Sequence, residues 1–257
     1  MDSRWISQAE IAFAYLKEII PLGCSVIILA GGSSSRFSFG CETPVNKVFA
    51  DVLGVPLIVR VFNRFACLNE FDDILIVSKA ADFERIGSIL YEFCPERPAH
   101  VSFAESGDTR AESSRNGINH AFFNFKSDYV LISDAARCNV SAQVIRSVCD
   151  GLKEHDNAIP CVRHEETFKI ISEGVVLETM KRSDLFEIQT PQGFRLSKIK
   201  EAYDACFDAC ARDESEIYFR FHKDEKFNIV SGSPLNLKIT RGDDMRLFEE
   251  LVALEAL

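Results

Sequence analysis

Positive charge is scarce in this chain: 29 Lys and Arg face 39 Asp and Glu, which leaves a formal net charge of −10. So anionic a surface repels nucleic acid and anionic membranes, which attract dense Lys/Arg patches. Any phosphate site must therefore be a local basic pocket. No apolar run approaches the ~20 residues that cross a bilayer. The first twenty residues carry Asp2, Glu10 and Glu18 in place of an uninterrupted apolar core, so neither a membrane span nor a signal peptide is expected. The nine cysteines include no CxxC pair and are odd in number, which argues against a zinc site and fits free thiols in a reducing compartment. GxxxxGK[ST] and GxGxxG are both missing, and with them the P-loop NTPases and the dinucleotide dehydrogenases. Internal repeats, low-complexity tracts and linkers are absent as well. What remains is a soluble protein expected in the cytoplasm.

What is present is enough apolar material for one large core, 47% of 257 residues. We expect a main domain over 23–257 preceded by a helical extension over 1–22. In that extension Ile6, Ala9, Phe13, Leu16, Ile19 and Ile20 fall near helical spacing, an amphipathic face expected to dock on the chain's own domain. Short apolar runs at Ser25–Leu29, Ile74–Val77 and Tyr129–Ile132 read as buried parallel strands, and the segments Leu57–Leu68 and Ala111–Phe123 between them read as helices. This alternation predicts an α/β fold with a doubly wound, mostly parallel sheet, whose ligands sit beyond the carboxyl ends of the strands. Within an excursion over about 158–189, Phe168–Ile171, a Ser-Glu-Gly turn and Val175–Leu177 predict a projecting β-hairpin arm. Residues 195–212 read as helix, 227–230 and 236–240 as strands, and Asp243–Leu257 as a closing helix.

The suggestive side chains gather at those strand ends. Leu29-Ala30-Gly31-Gly32-Ser-Ser-Ser-Arg36 follows the first strand; its two glycines allow close backbone approach to a ligand, and its N–H groups can cradle phosphate oxygens. Arg36 and Lys47 supply charge to offset a triphosphate. Ser106-Gly107-Asp108-Thr-Arg-Ala-Glu-Ser113 reads either as a ligand contact or as a loop in which Asp108 or Thr109 caps the next helix. Ser133-Asp134-Ala135-Ala-Arg137 follows the third strand, where an acid can hold Mg²⁺ through one oxygen or merely cap a helix. Arg182, Thr190-Pro-Gln192 and Lys238-Ile-Thr-Arg241 add polar groups that would each, taken singly, read as solvated surface.

Taken in order along the chain, these segments resemble the 2-C-methyl-D-erythritol 4-phosphate cytidylyltransferases, over roughly residues 24 to 252. The resemblance implies that Ala30, Gly31, Gly32 and Arg36 wrap the CTP phosphates with Lys47 on the α-phosphate, and that Gly107, Asp108, Ser113 and Ala135 contact cytosine and ribose. It implies that Asp134 holds Mg²⁺, that Arg137, Arg182, Thr190 and Lys238 hold the substrate phosphate and polyol, and that Arg36, Lys47 and Lys238 are the catalytic cations. It further implies a homodimer made by exchanged hairpin arms. Departures from the family pattern are Ser133 and Cys138 at the two ends of the Asp-Ala-Ala-Arg segment, Val48 after Lys47, and Glu166-Thr167 where the arm usually carries an Asp-Thr pair, so that Thr167 is the nearest substrate contact.

On this reading a phosphate oxygen of the polyol attacks the α-phosphorus of CTP and expels pyrophosphate. Two other readings stay open from sequence. A ribitol 5-phosphate cytidylyltransferase shares the loop and the Asp-Ala-X-Arg pattern, and a non-catalytic nucleotide-binding subunit would keep the fold without turnover.

Overall fold

The computed structural model describes residues 23–32, 37, 46–68, 70–96 and 100–255. The helix expected over 5–20 and the side chain of Arg36 lie outside the described residues.

In chain order the elements are β1 (Cys24–Leu29), a ribbon of β2 (Asp51–Val52) and β3 (Val55–Pro56), α1 (Leu57–Ala66), β4 (Asp73–Ser78), α2 (Phe83–Phe93), β5 (His100–Glu105), α3 (Arg110–Asn124), β6 (Tyr129–Asp134) and α4 (Ala142–Glu154). There follow β7 (Asn157–Arg163), β8 (Lys169–Ser172), β9 (Val175–Thr179), β10 (Phe186–Ile188), β11 (Gln192–Arg195), α5 (Leu196–Cys206), α6 (Glu214–Phe221), β12 (Ile229–Ser231) and α7 (Gly242–Glu255).

β1 is the sheet's axis, with β4 parallel on one side and β6 parallel on the other. β5 extends the sheet beyond β4, while β11 lies antiparallel between β6 and β7, and β12 pairs with β7 in parallel. The strand order thus reverses at β1, between β4 and β6, and this opens a crevice at their carboxyl ends. The expected mostly parallel sheet is therefore mixed, because β10 and β11 return against β7.

Successive side chains of a strand point to opposite faces, so a strand covered on both sides must be apolar throughout. β1 follows this rule: Val26 and Ile28 pack in one core with α1, α2 and α4, and Ile27 packs in the other with α3, α5 and α6. α3, α4 and α6 start where a side chain satisfies their free N–H groups. Thr109 accepts from the Glu112 N–H while the Thr109 N–H donates to Glu112, a reciprocal capping box, and Ser141 and Asp213 cap α4 and α6. A third, smaller cluster joins Val52, Leu57, Cys138 and Ile239 to Met245 and Phe248 of α7.

β8 and β9 pair only with each other, and every residue of both strands is exposed. Glu173 and Gly174 between them have φ of +50° and +79°. Two consecutive positive φ values belong to the tight turn whose twist matches a hairpin.

Two expectations fail. Residues 236–240 form no strand: the Ile239 N–H donates to the Ala136 carbonyl, and the Thr240 and Arg241 N–H groups donate to the Asp244 carboxylate ahead of α7. The alternation of apolar and polar residues there reflects Ile239 facing the small core while Lys238 faces the sheet's end. The helix expected over 195–212 stops at Cys206; residues 207–212 are turns, and Asp213 caps a separate helix, α6.

Candidate active site

Asp134 is the last residue of β6 and is 7% exposed. Its Oδ1 accepts from Arg110 Nε at 3.0 Å, its Oδ2 lies 2.6 Å from Lys238 Nζ, and its N–H donates to Thr190 Oγ1 at 3.0 Å. Burial by itself raises such a carboxyl, but Arg110, Lys238 and Arg137 hold it well below the ordinary carboxylate range, so it is ionised throughout the physiological range.

Arg110 opens α3 and donates to Glu214 as well, Nη1 to Oε1 at 2.8 Å and Nη2 to Oε2 at 3.0 Å. Glu214 is completely buried and also accepts from Ser114 Oγ at 2.6 Å. Burial opposes the charge on Arg110, yet the two carboxylates outweigh it and raise its pKa.

Arg137, also buried, donates to the Asn236 carbonyl at 2.6 Å and lies 3.6 Å from Glu187. Burial, ahead of the opposing carboxylates, lowers its pKa. Asn236 is fully buried and donates to the Thr190 carbonyl at 2.9 Å. The chain at 236–239 is thereby tied to both the β6 loop and the β10–β11 connection, and Lys238 is brought onto Asp134. Lys47, from the other side, donates to the Ile239 carbonyl at 2.9 Å.

The nucleotide-loop candidates border this cluster. The Ala135 N–H donates to the Leu29 carbonyl and the Ala30 N–H to the Val77 carbonyl, so the ends of β1, β4 and β6 are held together. Gly31 lies against Ser106: a Cβ at Gly31 would stand 2.2 Å from the Ser106 Cβ, which no side chain allows. Gly107 is equally close to Glu112, and its N–H donates to Ser113 Oγ at 3.2 Å. Gly32 is exposed, and a Cβ built there would meet no atom within 4 Å; Asp108 is exposed as well.

Ala30, Gly31, Lys47, Asp134, Ala135, Arg137, Thr190 and Lys238 are thus drawn to one end of the sheet, with Gly107 and Ser113 linked to it through Ser106 and Gly31. Thr167 and Arg182 are not: both side chains are exposed on the excursion around β8 and β9, and among the described residues neither bonds to the Asp134 cluster. Sequence reasoning assigned no role to Arg110, Asn236 or Glu214. Arg110 stood inside a quoted motif and Asn236 at the start of the strand expected over 236–240, whereas Glu214, in a run of charged residues, carried no local signal beyond the Asp213 cap before it.

Among the described residues no cluster of three or more Cys, His, Asp or Glu side chains is placed to hold a metal. Asp134 stands as a single carboxylate among cations. Its Oδ1 is taken by Arg110, and its Oδ2, with Lys238 turned away, would offer the one protein oxygen that an ion such as magnesium needs when phosphates and water supply the rest.

A switch-point crevice holding a glycine-lined turn, one ionised carboxylate and a group of cations is the form of an α/β enzyme that handles nucleoside phosphates. The chain belongs to the IspD family, 2-C-methyl-D-erythritol 4-phosphate cytidylyltransferase, whose sequence profile matches residues 24–253. It is 32% identical over 229 residues to the enzyme of that description from Geobacillus kaustophilus (strain HTA426), covering 88% of this chain and 96% of the relative. It is 29% identical over 233 residues to the one from Bacillus thuringiensis (strain Al Hakam), covering 90% and 98%. In fold it is similar to the crystal structure of 4-diphosphocytidyl-2C-methyl-D-erythritol synthase from Anaerococcus prevotii DSM 20548, with a TM-score of 0.75, 24% identity, and coverage of 90% of this chain and 98% of that one. No described helix is long and apolar enough to cross a membrane.

Proposed function

We propose that this chain transfers CMP from CTP to 2-C-methyl-D-erythritol 4-phosphate, giving 4-diphosphocytidyl-2-C-methyl-D-erythritol and pyrophosphate in non-mevalonate isoprenoid synthesis. The observation that carries the reading is the family match over nearly the whole chain, together with a cation cluster around one ionised acid at the sheet's switch point.

An oxygen of the substrate's phosphate attacks the α-phosphorus of CTP. The new P–O bond forms as the bond from the α-phosphorus to the α–β bridging oxygen breaks, and the electron pair leaves with pyrophosphate. The attacking monoester is already an anion near neutral pH and needs no general base. What it needs is relief from repulsion by the triphosphate, so positioning and positive charge are the means of catalysis. Lys47, Lys238 and Arg36 supply that charge. The backbone around Ala30, Gly31 and Gly32 receives the phosphates. Gly107, Asp108, Ser113 and Ala135 receive cytidine, and Arg137, Thr190, Arg182 and Thr167 receive the polyol phosphate. Asp134 would hold Mg²⁺, which would supply neutralisation of triphosphate charge.

The partner reading is a homodimer. Phe168, Ile170, Ile171, Val175, Val176 and Leu177 leave an exposed apolar hairpin, and exchange of such arms between two copies covers it while carrying Thr167 and Arg182 toward the neighbouring site. Free buried thiols such as Cys138 and Cys149 fit the reducing cytoplasm as its place of action.

The test is pyrophosphate release by purified protein with CTP and Mg²⁺, comparing 2-C-methyl-D-erythritol 4-phosphate with ribitol 5-phosphate. Turnover with the first substrate is expected. Turnover with the second alone reassigns the polyol, and CTP binding without turnover on either removes the catalytic reading.

A further inference from the structure

A half-buried guanidinium facing two carboxylates can be shared between them in more than one way, and here the sharing is unequal. Glu214 takes both terminal nitrogens of Arg110 in a bidentate fork and leaves only Nε for Asp134. The fork is planar, so fixing two of its donors on Glu214 fixes the direction of the third. Glu214 itself has little freedom: it is fully buried at the first turn of α6, and Ser114 donates to its Oε1.

The result is that Arg110 holds Oδ1 of Asp134 while Oδ2 is left to Lys238, whose side chain is 38% exposed and therefore movable. Were Glu214 uncharged, the better bargain for Arg110 would be its own bidentate pair with Asp134, which would cover both oxygens. Glu214 is 80 residues further along the chain than Asp134, and no residue of the described cluster other than Arg110 links the two.

We propose that Glu214 is a positioning residue for the transferase reaction: by occupying the fork of Arg110 it turns Asp134 so that Oδ2 faces the reaction site. The inference rests on the cytidylyltransferase reading for its kinetic part and on geometry alone for its structural part.

Two variants test it. Glu214→Gln keeps the shape and removes the charge. The double variant Arg110→Met with Glu214→Leu removes both charges, so that neither is left buried alone. In each, kcat per folded molecule is expected to fall about 10- to 100-fold, the lower range of a lost electrostatic group. The dissociation constant for CTP, measured by calorimetry without the second substrate, is expected to stay within about threefold. A crystal structure of Glu214→Gln is expected to show the Arg110 fork turned onto both oxygens of Asp134, a readout that does not depend on which polyol the enzyme uses. Wild-type kcat in either folded variant overturns the proposal, as does an Arg110 unmoved in the Glu214→Gln crystal. Loss of kcat in step with loss of CTP binding and of melting cooperativity also overturns it, by assigning the pair to the fold alone.

Discussion

Replacing Asp134 by Asn separates the chemical role of this carboxylate from its role in stability. Breaking a buried ion pair usually costs ~3–5 kcal/mol, because the surviving charge is stranded away from water. Here no partner is stranded. Arg110 keeps both oxygens of Glu214, Arg137 keeps the Asn236 carbonyl and Glu187, and Lys238, with 38% of its side chain exposed, turns to solvent. What is lost is hydrogen bonding to one charged group, ~1.5–3 kcal/mol, with the amide oxygen of Asn recovering part of it. At about 2–4 °C per kcal/mol for a chain of this size, Asp134→Asn should melt roughly 3–10 °C below the parent at neutral pH. Turnover should fall by about 10²-fold or more, since the site loses its anion and with it the proposed anchor for Mg²⁺. The sign with pH is fixed by the depressed pKa. The contribution of Asp134 is fully present above the unfolded value of about 3.9 and is lost as pH falls below it toward the folded one, so the two melting curves should stay apart down to about pH 4 and draw together progressively as the pH is lowered further. Differential scanning calorimetry across that range, with a pyrophosphate-release assay at pH 7.5, measures both. An Asn variant with wild-type turnover refutes the reasoning. So does one that melts more than about 15 °C lower while each folded molecule works normally, since that would make Asp134 a structural counter-ion only.

Lys47→Ala and Lys238→Ala are each expected to lower kcat by about 10²-fold or more at saturating CTP, and a variant that keeps wild-type turnover removes that lysine from the mechanism. Gly31→Ala places a methyl group 2.2 Å from the Ser106 Cβ and should lower both the melting temperature and the CTP affinity, whereas Gly32→Ala, which meets nothing, should leave melting unchanged and weaken CTP alone; isothermal titration with parallel melting curves distinguishes them. Ile171→Glu combined with Leu177→Glu places charge on the exposed hairpin and should convert a dimer to monomers in analytical ultracentrifugation, and a dimer that persists removes the arm from the interface.

The parts of the protein that local physics controls were legible from its residues alone. Val26, Ile27 and Ile28 form an unbroken apolar run because β1 is covered on both faces, and such a run can be read without knowing what covers it. The Ser-Glu-Gly turn of the hairpin and the Thr109 cap of α3 are likewise decided within a few residues. The order of Gly31-Gly32, Gly107-Asp108, Asp134 to Arg137, Thr190 and Lys238 pointed to one family before any distance was known.

Tertiary structure decided which charges meet and which of them lose their water. Residues 236–240 alternate like a strand, yet the Ile239 N–H goes to the loop after β6 and the Thr240 N–H to Asp244, because placing Lys238 on Asp134 requires a chain that crosses the sheet's end rather than extends it. Thr167 and Arg182 share a motif order with the site but are exposed on a hairpin that a single chain leaves uncovered. Glu214 stands in a run of charges that reads as solvated surface. Only the fold, which packs both α3 and α6 on α5, removes it from water and sets it against Arg110, 104 residues away. Desolvation and long-range pairing depend on the whole fold, and they have no period or spacing that a sequence can display.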